Sequence, residues 1–127
     1  MQENQLFEYA VIRVVPKVER EEFVNAGVVL LCNKQKFLQA HIKLNEARLA
    51  ALCPDFDRKL LTEHIHSFET ICAGGPSSGI IGQLPLSERF RWLTAARSTM
   101  VQTSPVHPGL CTDPQQMLLH LFEQLVL

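Results

Sequence analysis

Two apolar runs near the start of the chain limit what it can fold into. Residues 6–15 (Leu6-Phe7-Glu8-Tyr9-Ala10-Val11-Ile12-Arg13-Val14-Val15) and residues 23–32 (Phe23 to Cys32) are rich in β-branched and aromatic side chains. In each run both alternating faces are largely apolar, so each reads as an interior strand that has to be covered on both sides. Pro16 ends the first run because it cannot donate to a ladder. The charged stretch Lys17-Val18-Glu19-Arg20-Glu21-Glu22 joins the two as a hairpin whose loop is longer than the tight two-residue kind. Closed symmetrically about residue 19, that hairpin sets Arg13 opposite Asn25. After a second polar turn at residues 33–36, residues 37–44 alternate cleanly. Leu38, Ala40, Ile42 and Leu44 point one way and Gln39, His41 and Lys43 the other, which is the pattern of a half-buried strand. Three sequential antiparallel strands make a meander.

The period then changes to that of a helix. Asn45 is a good N-cap for a short helix through Leu52, stopped by Pro54, and Asp57 can cap a second. In the second helix Leu61, Ile65, Phe68 and Cys72 form the buried stripe, and Gly74-Gly75 ends it. Gly74-Gly75-Pro76-Ser77-Ser78-Gly79 is a flexible loop. It is not a P-loop, since no strand precedes it and no Gly-Lys-Ser/Thr follows. Ser87 is placed to cap a helix over about residues 88–96, with Leu86, Phe90 and Leu93 inward. Residues 98–103 suit a fourth strand, and 105–109 read as irregular. Asp113-Pro114-Gln115-Gln116 opens a last helix with Met117, Leu118, Leu121, Phe122 and Leu125 on its apolar face. The expected fold is α+β, in one domain over residues 1–127. A three- to four-stranded, mostly antiparallel sheet, beginning as a three-stranded meander, is packed by three to four helices in the order βββαααβα.

Charge excludes more than it suggests. Twelve Lys and Arg against thirteen Asp and Glu give a formal net charge of −1 and a pI near 6.5. A duplex-DNA binder is normally clearly basic, which disfavours that class. With 46% hydrophobic and 20% charged residues, the chain has the composition of neither a disordered segment nor a coiled coil. The start, Met1-Gln2-Glu3-Asn4-Gln5, lacks the basic and apolar parts of a signal peptide. The longest purely apolar run, Val28 to Cys32, is far short of the roughly 18 residues of a membrane span. A soluble cytoplasmic protein is expected, with no membrane partner. The four cysteines at 32, 53, 72 and 111 contain no Cys-x-x-Cys pair and read as reduced thiols ending apolar segments. No cofactor is called for, and the oligomeric state, a homo-oligomer included, is open.

Four groups of residues could carry chemistry. Between residues 70 and 112 the only Asp, Glu, Lys or Arg residues are Glu88, Arg89, Arg91 and Arg97. Trp92 lies among the arginines, and Ser98, Thr99 and His107 follow. Guanidinium groups beside an indole and hydroxyls suit a phosphate, a carboxylate or a stacked base. The alternative is a helix whose arginines cover apolar surface with their stems and pair with Glu19, Glu21 or Glu22. In the charged turn, Glu19 and Glu22 could hold a magnesium ion beside a phosphate, or simply keep a sheet end solvated. Arg13, opposite Asn25 and near Gly27, either forms an ion pair with a glutamate or reaches a ligand. His64 and His66 are two apart and share no helix face, so they are not a metal pair; His64 flanks the core and His66 faces water. His107, in a loop after the arginines, is the better acid/base candidate, although no nucleophile motif accompanies it.

The stretch Tyr9-Ala10-Val11-Ile12-Arg13-Val14-Val15-Pro16 through Glu19-Arg20-Glu21-Glu22-Phe23-Val24-Asn25-Ala26-Gly27-Val28 resembles the N-terminal signature of a known family. Cys72-Ala73-Gly74-Gly75-Pro76 resembles it too, as does Arg89-Phe90-Arg91-Trp92-Leu93-Thr94 through Arg97-Ser98 to Ser104-Pro105-Val106-His107. The family is a set of small bacterial proteins of unknown function, DUF3037. Ala26 departs from its pattern, which favours a bulkier Val or Ile there. The resemblance implies no activity; it implies a partner or regulatory role, with a HipA-like kinase as the partner. Its three segments include Arg13, Glu19, Arg20, Asn25, Arg89, Arg91, Arg97 and His107, which a single cleft at one sheet end would gather. The leading functional reading is a small non-enzymatic module that binds an acidic or phosphorylated ligand or partner through Arg89, Arg91 and Arg97. The alternatives are an enzyme acting on a phosphate-bearing substrate, with His107 as acid/base, and a nucleic-acid-associated protein that stacks a base on Trp92.

Overall fold

The apolar runs form the two central strands of an antiparallel sheet. The structure is a computed structural model that describes residues 3–127. The elements are β1 (Gln5–Val14), β2 (Val24–Cys32), β3 (Phe37–Ile42), α1 (Glu46–Leu52), α2 (Arg58–Ala73), α3 (Gly79–Gly82), α4 (Leu86–Thr94), β4 (Val101–Thr103), β5 (His107–Cys111) and α5 (Pro114–Leu125). The sheet runs β3-β2-β1-β4, and β5 lies beyond β4 along the same side of β1. The α+β class and the opening meander match the sequence expectation.

Arg13 faces Asn25 in the β1–β2 register, as symmetric closure requires. A bulge follows at once: Ile12 stands opposite Gly27, so Ala26 is the extra residue. The bulge reverses the alternation of β2. Val24, Ala26, Val29 and Leu31 therefore share one face with Ala10, Ile12 and Val14 of β1. There they meet Leu61, Ile65, Phe68 and Cys72 of α2, Leu49 of α1, and Phe90 and Leu93 of α4. Val28, Leu30 and Cys32 turn to the other face, where with Phe7 and Cys111 they pack under Leu118, Leu121 and Phe122 of α5. Both faces of the central strands are thus covered, by α1, α2 and α4 on one side and by α5 on the other.

Three helices start on the caps read from the sequence. Asn45 accepts from the Arg48 amide, Asp57 from the Leu60 amide, and Asp113 from the amides of Gln115 and Gln116. The fourth differs: α4 begins at Leu86 behind Pro85, with no side-chain cap, so Ser87 lies inside the helix. The stretch after Gly74 contains the short turn α3, which the glycines concealed. β4 covers only Val101–Thr103, and residues 107–111 form a strand rather than an irregular segment. Ser104 joins β4 to β5. Its amide donates to the Val11 carbonyl at 2.9 Å, and its Oγ accepts from the Val11 amide at 2.8 Å where the chain bends toward Pro105. The hydroxyl stands in for the ladder carbonyl that the bend turns away.

Candidate functional site

The arginines of the 89–97 segment go three different ways. Arg89 and Arg91 are two apart on α4, which separates them by roughly 200° around the helix. Arg89 turns inward and is buried, while Arg91 is exposed. Arg97 lies beyond the end of α4 and folds back on it. Its guanidinium carbon sits 5.2 Å from the centre of the Trp92 ring, and its Nη2 donates to the Trp92 carbonyl, which also receives the Ala95 amide. Arg97 therefore caps the C-terminal end of α4 and lies over the indole at once.

This pair closes one side of a pocket of about 190 Å³ between α2 and α4. His64, Ser67, Phe68 and Ile71 line the α2 side at spacings of three, four and seven residues, which places them on one helix face. Trp92, Leu93 and Arg97 line the opposite wall, and Thr99 and Val101 complete it. The Thr99 hydroxyl donates to the Val101 carbonyl at 2.9 Å, which leaves its oxygen as an acceptor. Trp92 is 44% exposed at the rim. No carboxylate lines this pocket. Four other pockets each include at least one: Glu69, Glu3 with Asp113, Glu8, and Glu46. The Trp92–Arg97 pocket is thus the one among these five with cationic and hydroxyl groups and no opposing acid. His64, which the sequence places beside the core, and Ser67, which the sequence does not single out, enter it from α2. The signal that could have found them is their place on the α2 face beside Phe68 and Ile71.

The remaining candidates lie elsewhere, and the single cleft does not form. Arg13 and Asn25 are on the α5 face of the sheet. Arg13 lies under the exposed Phe23 ring, its guanidinium carbon 4.2 Å from the ring centre, in place of the glutamate pair considered from sequence. Asn25 donates through Nδ2 to the Leu125 carbonyl at 3.0 Å and so ties down the end of α5. Arg13 Nε and Asn25 Oδ1 are buried without hydrogen-bond partners. His107 is exposed in β5, opposite Tyr9 in the ladder, with its ring 5.3 Å from the Tyr9 ring. That is also the α5 face, so the sheet separates His107 from Arg89 and Arg97. Arg20 pairs with Glu22 in the exposed hairpin loop. The contact holds the Glu22 carboxyl below its ordinary range and raises Arg20. Glu19 lies exposed in the same loop. Among the described residues no group of three His, Cys, Asp or Glu side chains is placed to hold a metal, so Glu19 and Glu22 gain no third ligand. Ser98 is exposed and does not line the pocket. Among those residues, too, no helix is long and apolar enough to cross a membrane.

The fold defines a class first: an α+β domain with an antiparallel five-stranded sheet and helices on both faces. The chain belongs to the DUF3037 family of proteins of unknown function, whose model matches residues 9–126, nearly its whole length. No curated protein and no solved structure matches it.

Proposed function

We propose that this protein is a non-enzymatic binding module that recognises an acidic or phosphorylated side chain of a partner protein in the Trp92–Arg97 pocket. The observation that carries the reading is the lining: an arginine held over an indole, a histidine and two hydroxyl residues, with no carboxylate. Such a set favours an anion and provides no acid/base pair for turnover. Size narrows the ligand. At about 190 Å³ the pocket is smaller than the roughly 300–1,000 Å³ of small-molecule sites, so it suits one inserted side chain better than a nucleotide. The exposed Trp92 at its rim then offers apolar surface to the residues flanking that side chain. The family resemblance adds a HipA-like kinase as the partner to try first.

Trp92 is the only tryptophan of the chain, so its fluorescence reports on the pocket. Titration with a phosphoserine peptide, and with peptides carrying glutamate or unmodified serine at the same position, is expected to change the emission saturably for the anionic peptides only. Arg97→Ala is expected to weaken binding by about tenfold or more, equivalent to about 1.4 kcal/mol or more, and Arg91→Ala to leave it nearly unchanged. Equal responses to the three peptides, or affinity retained in Arg97→Ala, would contradict the proposal.

A further inference from the structure

Arg89 is the cation that this pocket does not use. It keeps only 9% of its surface exposed, and its Nε is sealed from solvent without a hydrogen-bond partner. Ion pairs among the described residues join Arg20 to Glu22, Lys34 to Glu3 and Arg58 to Glu46, so no carboxylate neutralises Arg89. A buried guanidinium without a counter-ion is among the costlier groups a fold can keep.

Gly74, which opens the loop over residues 74–79, lies against it. A Cβ at Gly74 would stand 1.7 Å from Arg89 Nη1 and 2.8 Å from its Cζ, so the guanidinium fills the place a side chain would take. Gly74, Gly75 and Gly79 have φ of 71°, 104° and 81°, a backbone that other residues rarely adopt. Nothing lies within 4 Å of the Cβ positions of Gly75 and Gly79, so the backbone there is bare. No charged residue occurs from Thr70 to Ser87. The carbonyl end of α2 offsets part of the cation's cost, yet it leaves Nε without a partner.

We infer that Arg89 and the loop over residues 74–79 form a second anion site, distinct from the Trp92–Arg97 pocket, which takes a small oxyanion of the phosphate or carboxylate kind. The guanidinium supplies the charge and a planar pair of donors. The glycine backbone lets the anion approach without a side chain in the way.

Inorganic phosphate and, separately, acetate are titrated into the isotope-labelled protein, with chloride at matched ionic strength as control. The amide NMR signals of Gly74, Gly75 and Gly79 and the Arg89 Nε–H signal are followed. At least one of the two anions is expected to shift these signals saturably. A phosphate-only response assigns a phosphoryl ligand, and an acetate-only response a carboxylate. The shifts are expected to persist in Arg97→Ala, which disables the first pocket, and to disappear in Arg89→Met. Arg89→Lys keeps the charge without the planar fork and is expected to bind more weakly; if Arg89→Met does not fold, this variant and the wild-type Nε–H signal decide the matter. Shifts no larger than those with chloride, or shifts unchanged in a folded Arg89 variant, would show that Arg89 serves only to cap α2 and would overturn the inference.

Discussion

Replacing Gly109 by alanine tests the packing under α5 directly. Gly109 stands opposite Phe7 in the β1–β5 ladder, and the Phe7 ring lies across its backbone. A Cβ there would be 2.5 Å from Phe7 Cζ and 2.7 Å from Cε1. Carbon atoms in good contact are about 3.5–4.0 Å apart, so the ring would have to withdraw by about 1 Å. It is not free to do so, because it is 4% exposed, stacks on Tyr9 at 6.0 Å and belongs to the core beneath α5. The backbone itself raises no objection, since Gly109 is not among the positive-φ glycines. Without the clash, alanine would stabilise the chain by about 0.4–1 kcal/mol through its unfolded state. Overpacking costs about 1–3 kcal/mol. The net expectation is a loss of roughly 1–2 kcal/mol. Phe7→Leu alone creates a partial cavity and costs about 1–2 kcal/mol, but it also removes the ring that the new methyl meets. In urea unfolding of the four proteins, the double variant is expected to lose about 1 kcal/mol less than the sum of the single losses. Additivity to within about 0.5 kcal/mol, or a stabilised Gly109→Ala, would refute the steric argument.

Two further predictions concern single groups. Ser104→Ala leaves the Val11 amide without the Oγ it donates to at 2.8 Å; a loss of about 1–3 kcal/mol and faster exchange of the Val11 amide hydrogen are expected, and unchanged exchange would refute the role given to the hydroxyl. Burial pushes the Cys72 thiol from 9.0 up to about 12, opposed by Arg89 and assisted by Glu69. The unfolded chain therefore loses this proton first, so the contribution of Cys72 is fully present below pH 9 and is lost as pH rises toward 12. The slope is at most about 1.4 kcal/mol per pH unit. Cys72→Ala is expected to flatten that part of the stability curve, and a variant curve parallel to the wild type would refute the burial argument.

The meander and the helix caps were legible because they depend on neighbours in sequence: alternation, a proline stop, or a side chain reaching the next turn. The bulge at Ala26 was legible only in its effect. A strand that shifts its parity midway puts apolar residues on both faces, and residues 23–32 show that pattern. β5 was hidden for a local reason with a distant cause. Pro105, Pro108 and Gly109 read as irregular, but β5 lies at the sheet edge, where a missing N–H is tolerated, and the glycine is there to admit Phe7 from another strand. Nothing in residues 105–109 records that ring.

The candidate site shows the same limit more sharply. Charges close together on a helix are dispersed in space, which is how Arg89 and Arg91 part, whereas Arg97 rejoins Trp92 only because the chain turns after Thr94. The signature residues are then divided by the sheet: Arg13, Asn25 and His107 lie on the α5 face, and Arg89, Trp92 and Arg97 on the other. The two cores have no buried residue in common. Methyl-sized disturbance at Gly109 acts on the α5 core, and the Trp92–Arg97 pocket is built from α2, α4, the segment before β4 and Val101 at the start of β4, all on the other face of the sheet. Gly109→Ala should therefore lower stability while the folded protein binds the anionic peptide with unchanged affinity. A parallel loss of affinity under conditions where the variant remains folded would mean that the sheet transmits strain between its faces, and that the pocket cannot be treated as independent of α5.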